Sequence, residues 1–290
     1  MALPRGLPVV DHHCHLSPDG EGIRAAERFR SAGGTHLFLA TQNYARSTPT
    51  SLDDYERQFR TTELLARQVH EGTGVVVYPV VAPYPVDLVE ASRSLGVAPA
   101  LELHRSALDL AGRWVRERRA VALGEVGRPH FSIPPEIAEA SGEAFRHALT
   151  VARDVGCPVV VHSDDLDRDG YAKIASEARA AGLPVERVVK HYARHRVDAQ
   201  ESSGVVPSYL ARRELVRDVA GDPAPWFLET DFLDDPARPG AVLDLATVPR
   251  RARALSEANP EASDRLWNPF VRSVQRVYGW SPEVADGGAP

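Results

Sequence analysis

Residues 158–162 read PVVVH, an uninterrupted apolar run that ends in a histidine. Residues 187–191 (RVVKH) and 121–126 (VALGEV) follow the same plan, because each is a short, mainly apolar run with an imidazole or a carboxylate near its end. Short apolar runs of this kind are typical of strands that are buried on both faces of a parallel sheet. These three stretches therefore predict central strands of a buried sheet, with polar groups along one edge.

Five further strand candidates occur along the chain, at residues 7–16, 36–40, 75–81, 204–209 and 226–231. Amphipathic stretches predict helices between most of them, at residues 23–32, 53–71, 87–95, 107–118, 135–155, 171–181 and 211–219. Eight strands alternating with helices over about 250 residues are typical of an α/β fold, a single (β/α)8 TIM barrel. A doubly wound open sheet is the competing fold, and strand counting alone does not reject it.

The end of the chain predicts two extra helices, at residues 241–258 and 260–278. We expect one barrel domain over residues 1–280 and a disordered tail over residues 281–290, which contain Gly-Gly-Ala-Pro.

The composition is that of a soluble globular protein, with 43% hydrophobic and 26% charged residues among 290. No apolar run approaches the roughly 18 residues of a membrane span, so we expect no membrane association and a cytoplasmic location. The net charge of −6 argues against a broad nucleic-acid-binding surface, although a small cleft could still accept one phosphate or a nucleic-acid end. No feature of the sequence specifies an oligomeric state.

The first strand ends in Asp11-His12-His13-Cys14-His15. Because side chains alternate along a strand, Asp11, His13 and His15 are predicted to share one face, with His12 and Cys14 on the other. Two imidazoles on one face with a carboxylate behind them form half of a metal site. The alternative is a pair of structural histidines that are hydrogen-bonded to each other.

Other predicted strands also end in metal-ligating residue types: Glu125, His162, His191 and Asp231. In a TIM barrel the carboxyl ends of the strands converge on one mouth, where active sites are found. A set that contains only His, Glu and Asp indicates a metal cluster. The predicted ligands are therefore His13, His15, Glu125, His162, His191 and Asp231.

The ordered set of motifs resembles the TatD-related metal-dependent hydrolases of the amidohydrolase superfamily. The matching stretches are DHHCHL (11–16), GEVG (124–127), VVVH (159–162), VVKH (188–191) and ETD (229–231). The resemblance covers nearly the whole chain and implies a barrel with a binuclear metal centre.

Carried onto this chain, the resemblance implies that His13 and His15 hold one metal and that Glu125 bridges two. His162 and His191 would hold the second metal. Asp231 would bind the first metal and act as general acid/base, with a metal-bound hydroxide as the nucleophile. Imidazole and carboxylate ligands suit two divalent ions, Zn²⁺, Mn²⁺ or Fe²⁺.

Two neighbours of these motifs depart from the pattern of the bacterial nucleases in the family. Those members usually carry Leu-Asp after GE[IT]G and often an arginine after the strand-five histidine, whereas this chain has residues 128–131 (RPHF) and Ser163. The GEVGRPH form looks closer to the archaeal-type branch. Arg128 and His130 are candidate substrate contacts, since a guanidinium suits phosphate or carboxylate. A salt bridge and an exposed loop histidine are the respective alternatives.

The function expected from these residues is metal-dependent hydrolysis of a small molecule or a nucleic-acid end. The bond is either a phosphodiester or an amide, ester or lactone. A non-hydrolytic metal-dependent lyase of a specialised biosynthetic pathway is the alternative enzyme class. A metal-stabilised binding protein is a further alternative, but Asp231 argues against it because such a site needs no acid/base.

Overall fold

A computed structural model describes residues 3–258 and 264–282 of the chain. Its centre is a curled sheet of nine strands in the order β8-β7-β6-β5-β4-β3-β2-β1-β9, and every neighbouring pair is parallel. The strands are β1 (Val10–His15), β2 (His36–Ala40), β3 (Val76–Val81), β4 (Ala122–Gly127), β5 (Val159–His162), β6 (Val188–Ala193), β7 (Val206–Leu210), β8 (Phe227–Glu229) and β9 (Phe232–Leu233). The predicted parallel α/β architecture is confirmed, and the sheet is TIM-barrel-like.

Helices follow most of the strands and pack on the outside of the sheet. They are α1 (Ile23–Ser31), α2 (Leu52–Thr73), α3 (Pro85–Leu95), α4 (Val97–Arg116), α5 (Pro135–Val155), α6 (Arg168–Ala181), α7 (Arg213–Val219), α8 (Thr247–Ala258) and α9 (Ser273–Tyr278). On one side, Phe29 of α1 and Leu65 of α2 pack against Leu37 and Leu39 of β2, all of them buried. None of the helices in the described residues is long and apolar enough to cross a membrane.

The last predicted strand, residues 226–231, is divided in the structure, so the expected count of eight is not reproduced. β8 pairs with β7, and β9, which is separated from β8 by two residues, pairs with β1. Asp231 lies between them with φ of 48°, a left-handed conformation that interrupts an extended chain. The same short segment therefore contacts both ends of the sheet.

Three helix predictions need correction. α4 begins at Val97 rather than 107, because Pro99 lies in the first helical turn, where a missing N–H costs nothing. α8 begins at Thr247 rather than 241, because the Asp244 carboxylate accepts a hydrogen bond from the Ala246 N–H (3.1 Å) in a turn before the helix.

The predicted helix 260–278 is replaced by a π-helical segment, Asn268–Arg272, followed by α9. Residues 260–263 of that prediction lie outside the described residues, as do residues 283–290 of the predicted tail.

The first strand contains an extra residue that the pattern of its sequence does not predict. Asp11 pairs with Leu37 and Cys14 pairs with Leu39, so three steps along β1 match two steps along β2. A bulge of this kind breaks the strict alternation of side chains.

The bulge makes one sequence prediction wrong, because Asp11 does not share a face with His13 and His15. The Asp11 carboxylate instead accepts hydrogen bonds from the N–H (3.0 Å) and the hydroxyl (2.6 Å) of Thr230. His12, predicted to lie with Cys14, stacks on Phe227 with ring centroids 3.9 Å apart. The extra residue thus separates Asp11 from the cluster that His13 joins.

Candidate metal centre

Glu125 lies at the centre of a buried cluster at the carboxyl ends of the strands. The structure brings all six predicted ligands together there: His13, His15, Glu125, His162, His191 and Asp231. Glu125 is 5% exposed, so its charge is almost completely withdrawn from water.

One oxygen of Glu125 faces the two histidines of β1. Oε1 lies 3.0 Å from Nε2 of His13 and 3.1 Å from Nε2 of His15. Oδ1 of Asp231 lies 3.7 Å from each of the same two nitrogens. We call His13, His15 and Asp231 the first half of the centre.

The other oxygen of Glu125 faces histidines from two neighbouring strands. Oε2 lies 2.7 Å from Nδ1 of His162 and 3.3 Å from Nε2 of His191. These two nitrogens are 3.2 Å apart. We call His162 and His191 the second half of the centre, and Glu125 is common to both halves.

The donor atoms of the cluster are better satisfied by divalent cations than by hydrogen bonds to one another. Nε2 of His13 and Nε2 of His15 are 3.2 Å apart, and one proton satisfies only one lone pair of such a contact. Donor atoms of His13, His15 and Asp231 lie within 4.8 Å of one another, as do those of His13, Glu125 and His191. Nitrogen and carboxylate donors arranged in this way match the ligands of Zn²⁺, Mn²⁺ and Fe²⁺.

The ring nitrogens of His15 and His162 that face away from the cluster have partners of their own. Nδ1 of His15 lies 3.2 Å from the carbonyl oxygen of Ala40. Nε2 of His162 lies 3.0 Å from Nδ1 of His130 and 3.2 Å from the hydroxyl of Tyr84. Such outer contacts orient imidazoles whose other nitrogen binds a metal.

The charges of the cluster suit cation binding. Burial opposes ionisation of Glu125, but the surrounding histidines outweigh it and hold the pKa of this carboxyl well below its usual range. Burial lowers the pKa of His13 and of His191, which favours the neutral imidazole that binds metals. Burial acts in the same direction on His15, but Glu125 and Asp231 outweigh it and raise the pKa of that ring.

Asp231 differs from the other carboxylate of the cluster in its environment. Burial raises its pKa above the ordinary value, although His191, His13 and His15 oppose the shift. Asp231 lies in the gap between β8 and β9, where its backbone adopts a left-handed conformation.

The cluster forms the floor of a cavity of about 680 Å³. Its walls include Tyr84, His130, Tyr192, Arg194 and Arg238, which come from four segments at the carboxyl ends of the strands. The volume lies in the usual range for small-molecule sites, about 300–1,000 Å³.

The two predicted substrate contacts have different positions. His130 lines the cavity, where it also contacts His162. Arg128 forms an ion pair with Glu177 of α6 at 3.2 Å and is not among the residues that line this cavity. The salt bridge considered as an alternative for Arg128 is therefore present.

Sequence reasoning missed two residues that touch the centre. Tyr84 stands just before α3, and no local pattern marks it. Glu229 is fully buried, and its Oε1 lies 3.5 Å from Nδ1 of His191. A signal for Glu229 was available, because it stands two residues before Asp231 on an expected strand, where alternation would place both on one face.

Comparisons with known proteins show the family to which this chain belongs. The family described as TatD related DNase matches residues 10–279 of the chain. The uncharacterized protein MJ1127 of Methanocaldococcus jannaschii is 28% identical over an alignment of 289 residues that covers 98% of this chain and 100% of that protein.

Two solved structures are similar in fold. The TatD homologue YjjV of Escherichia coli has a TM-score of 0.61 at 18% identity, covering 93% of this chain and 98% of that one. A PTE-like lactonase of Deinococcus radiodurans has a TM-score of 0.60 at 17% identity, covering 94% and 96%. At these identities the likeness establishes the fold alone.

Proposed function

Because this chain belongs to the TatD-related DNase family, we propose that it is a divalent-metal-dependent hydrolase. The observation that carries the proposal is the position of Glu125 between two histidine pairs, with one oxygen facing each pair. In this proposal His13, His15 and Asp231 hold one cation, His162 and His191 hold a second, and Glu125 bridges them. The cations are Zn²⁺, Mn²⁺ or Fe²⁺.

When bound, two such cations lower the pKa of a water molecule towards about 7 and polarise the bond to be cleaved. The protein supplies the remaining steps through its own residues. Asp231 accepts the proton of the attacking water and returns it to the leaving group, a role that its place beside His13 and His15 supports. The walls of the cavity hold the substrate above the cluster.

The substrate that we propose first is a phosphodiester at the end of a nucleic-acid strand. The family description supports this choice, and the cavity has room for a terminal nucleotide rather than for a long duplex. A contact from Arg128 to the substrate remains a prediction, and it would require the Arg128–Glu177 ion pair to open.

A small amide, ester or lactone is the second candidate. The cavity volume of about 680 Å³ favours it, because small-molecule sites have this size and most of the lining residues are not basic. Under either candidate the fold is proposed to be one (β/α)8 barrel over residues 1–280. The MJ1127 relative and the GEVGRPH segment support placement in the archaeal-type branch.

The test combines metal content with two activity assays on purified protein. Elemental analysis after loading with Zn²⁺ or Mn²⁺ should give about two equivalents per chain. Stepwise shortening of a 3′-labelled single-stranded oligonucleotide would support the first substrate, and cleavage of small lactones, esters or amides without shortening would support the second. A protein that retains no metal after loading would contradict the proposal as a whole.

A further inference from the structure

His191 lies between two buried carboxylates. Its Nε2 is 3.3 Å from Glu125 Oε2 on the cavity side, and its Nδ1 is 3.5 Å from Glu229 Oε1 on the opposite side. His191 is 3% exposed and Glu229 is fully buried, so water does not readily replace either contact.

Nδ1 of His191, which faces this opposite side, is a buried polar atom that lacks a hydrogen-bond partner among the described residues. An unpaired buried polar atom is costly, because burial removes its hydrogen bonds to water. A proton on Nδ1 that is donated to the Glu229 carboxylate would remove this cost for the imidazole.

The backbone also ties Glu229 to this histidine. The N–H of Tyr192, the residue after His191, donates to Glu229 Oε1 at 2.6 Å. Tyr192 has φ of 59°, a left-handed conformation that is rare for a bulky side chain. Glu229 therefore contacts both the ring of His191 and the unusual peptide that follows it.

We propose that Glu229 is a positioning residue, which keeps the single proton of the His191 imidazole on Nδ1 and leaves Nε2 free to bind a cation. A neutral imidazole carries one N–H, and the hydrogen bond at one nitrogen decides which nitrogen remains a ligand. Without Glu229, the proton has Glu125 as its nearest acceptor, and it would then occupy the nitrogen that faces the cluster. This inference rests on the proposed metal centre and adds a function for a residue outside it.

The test compares three variants with the wild-type protein. Glu229→Leu removes the acceptor and the charge, whereas Glu229→Gln keeps an oxygen that can accept from Nδ1. Asp87→Asn is the matched control, because Asp87 is a buried carboxyl that accepts a backbone N–H from Tyr84 without contacting the four histidines of the centre. Thermal melting of each metal-free variant shows whether it folds.

Calorimetric titration with Zn²⁺ measures each binding step, and ¹⁵N-histidine spectra of the zinc-loaded protein report which nitrogen of His191 carries the proton. We expect Glu229→Leu to weaken the second equivalent about 10- to 100-fold while the first changes little. Glu229→Gln should recover most of the loss and retain the Nδ1 proton, and Asp87→Asn should change neither step.

Unchanged zinc binding in Glu229→Leu, or a proton on Nε2 of His191 in zinc-loaded wild-type protein, would overturn the role of Glu229. If Glu229→Leu does not fold, the spectrum of the zinc-loaded wild-type protein decides alone, and a proton on Nε2 of His191 would overturn the role. Failure of the metal centre itself has a different signature, because the wild-type protein would then take up no zinc.

Discussion

The two halves of the centre are held in different ways. His13 and His15 stand two residues apart on one strand, and the outward nitrogen of His15 contacts a backbone carbonyl, that of Ala40. His162 and His191 come from separate strands, and their outward nitrogens face side chains from three other segments: Tyr84, His130 and Glu229. The outer contact of the first half is therefore a backbone carbonyl, whereas the outer contacts of the second half are side chains. We expect single substitutions outside the centre to disturb the second half more.

The largest expected effect comes from Asp231→Asn, because it removes the proposed proton acceptor from the first half. Turnover should fall about 10²- to 10⁴-fold, while at least one metal equivalent stays bound. Steady-state rates and elemental analysis measure the two quantities. Asp222→Asn is the control, since Asp222 pairs with Arg196 instead of the cluster. Near-normal rates in Asp231→Asn would show that another group takes the proton.

Glu125→Gln should affect both halves together, because Glu125 is their common member. A neutral amide offers one acceptor oxygen and no charge, so at least one of the two expected equivalents of metal should be lost. Elemental analysis after dialysis measures the loss. Full occupancy in this variant would mean that the halves bind independently, and the bridging arrangement would be wrong.

Substitutions at His130 test whether the second half depends on its outer contacts. His130→Ala removes the atom that faces Nε2 of His162, whereas His130→Asn places an amide oxygen close to the position of Nδ1. We expect about 10- to 100-fold weaker binding of the second equivalent in the alanine variant and near-normal binding in the asparagine variant. Tyr84→Phe should have a smaller effect, because His130 remains.

A different result for the His130 variants would favour the substrate contact that the sequence predicts for this residue. If both variants raise KM equally and leave zinc affinity unchanged, His130 contacts the substrate and does not orient His162. His147→Ala is a useful control, because His147 pairs with Asp109 on the outer helices.

The smallest expected effect is on the free energy of unfolding. It concerns a residue outside the centre, so it distinguishes loss of the fold from loss of metal. Burial lowers the pKa of His104 in α4 to about 3, below the ordinary 6.5. As pH falls below 6.5 the unfolded chain gains a proton that the folded chain does not, so this residue reduces stability by about 1.4 kcal/mol per pH unit. Denaturant unfolding of the metal-free protein at pH 7 and 5 should show a shallower decline in His104→Gln. Equal slopes would mean that His104 is protonated in the folded state.

The six residues of the cluster were predictable from sequence because each stands at or near the end of a buried strand. In a parallel sheet with short crossover helices, those ends meet at one edge, so strand positions suffice to bring the side chains together. His162 and Asp231 illustrate this, since they are distant in sequence and each follows an apolar run. The alternation rule was less successful at Asp11, because a single extra residue in β1 reverses it.

Composition and periodicity by themselves determined the α/β class, the helix–strand alternation and the identity of the cluster. These properties depend on the burial of apolar runs and on which residue types follow them, and both are written along the chain. Other features depended on tertiary structure: the bulge in β1, the left-handed conformations of Tyr192 and Asp231, and the ion pair of Arg128 with Glu177. So did the contact of Glu229 with His191. Each of these features has a local cost in backbone conformation or desolvation. Contacts with residues far away in sequence offset that cost, and they form only when the strands lie side by side.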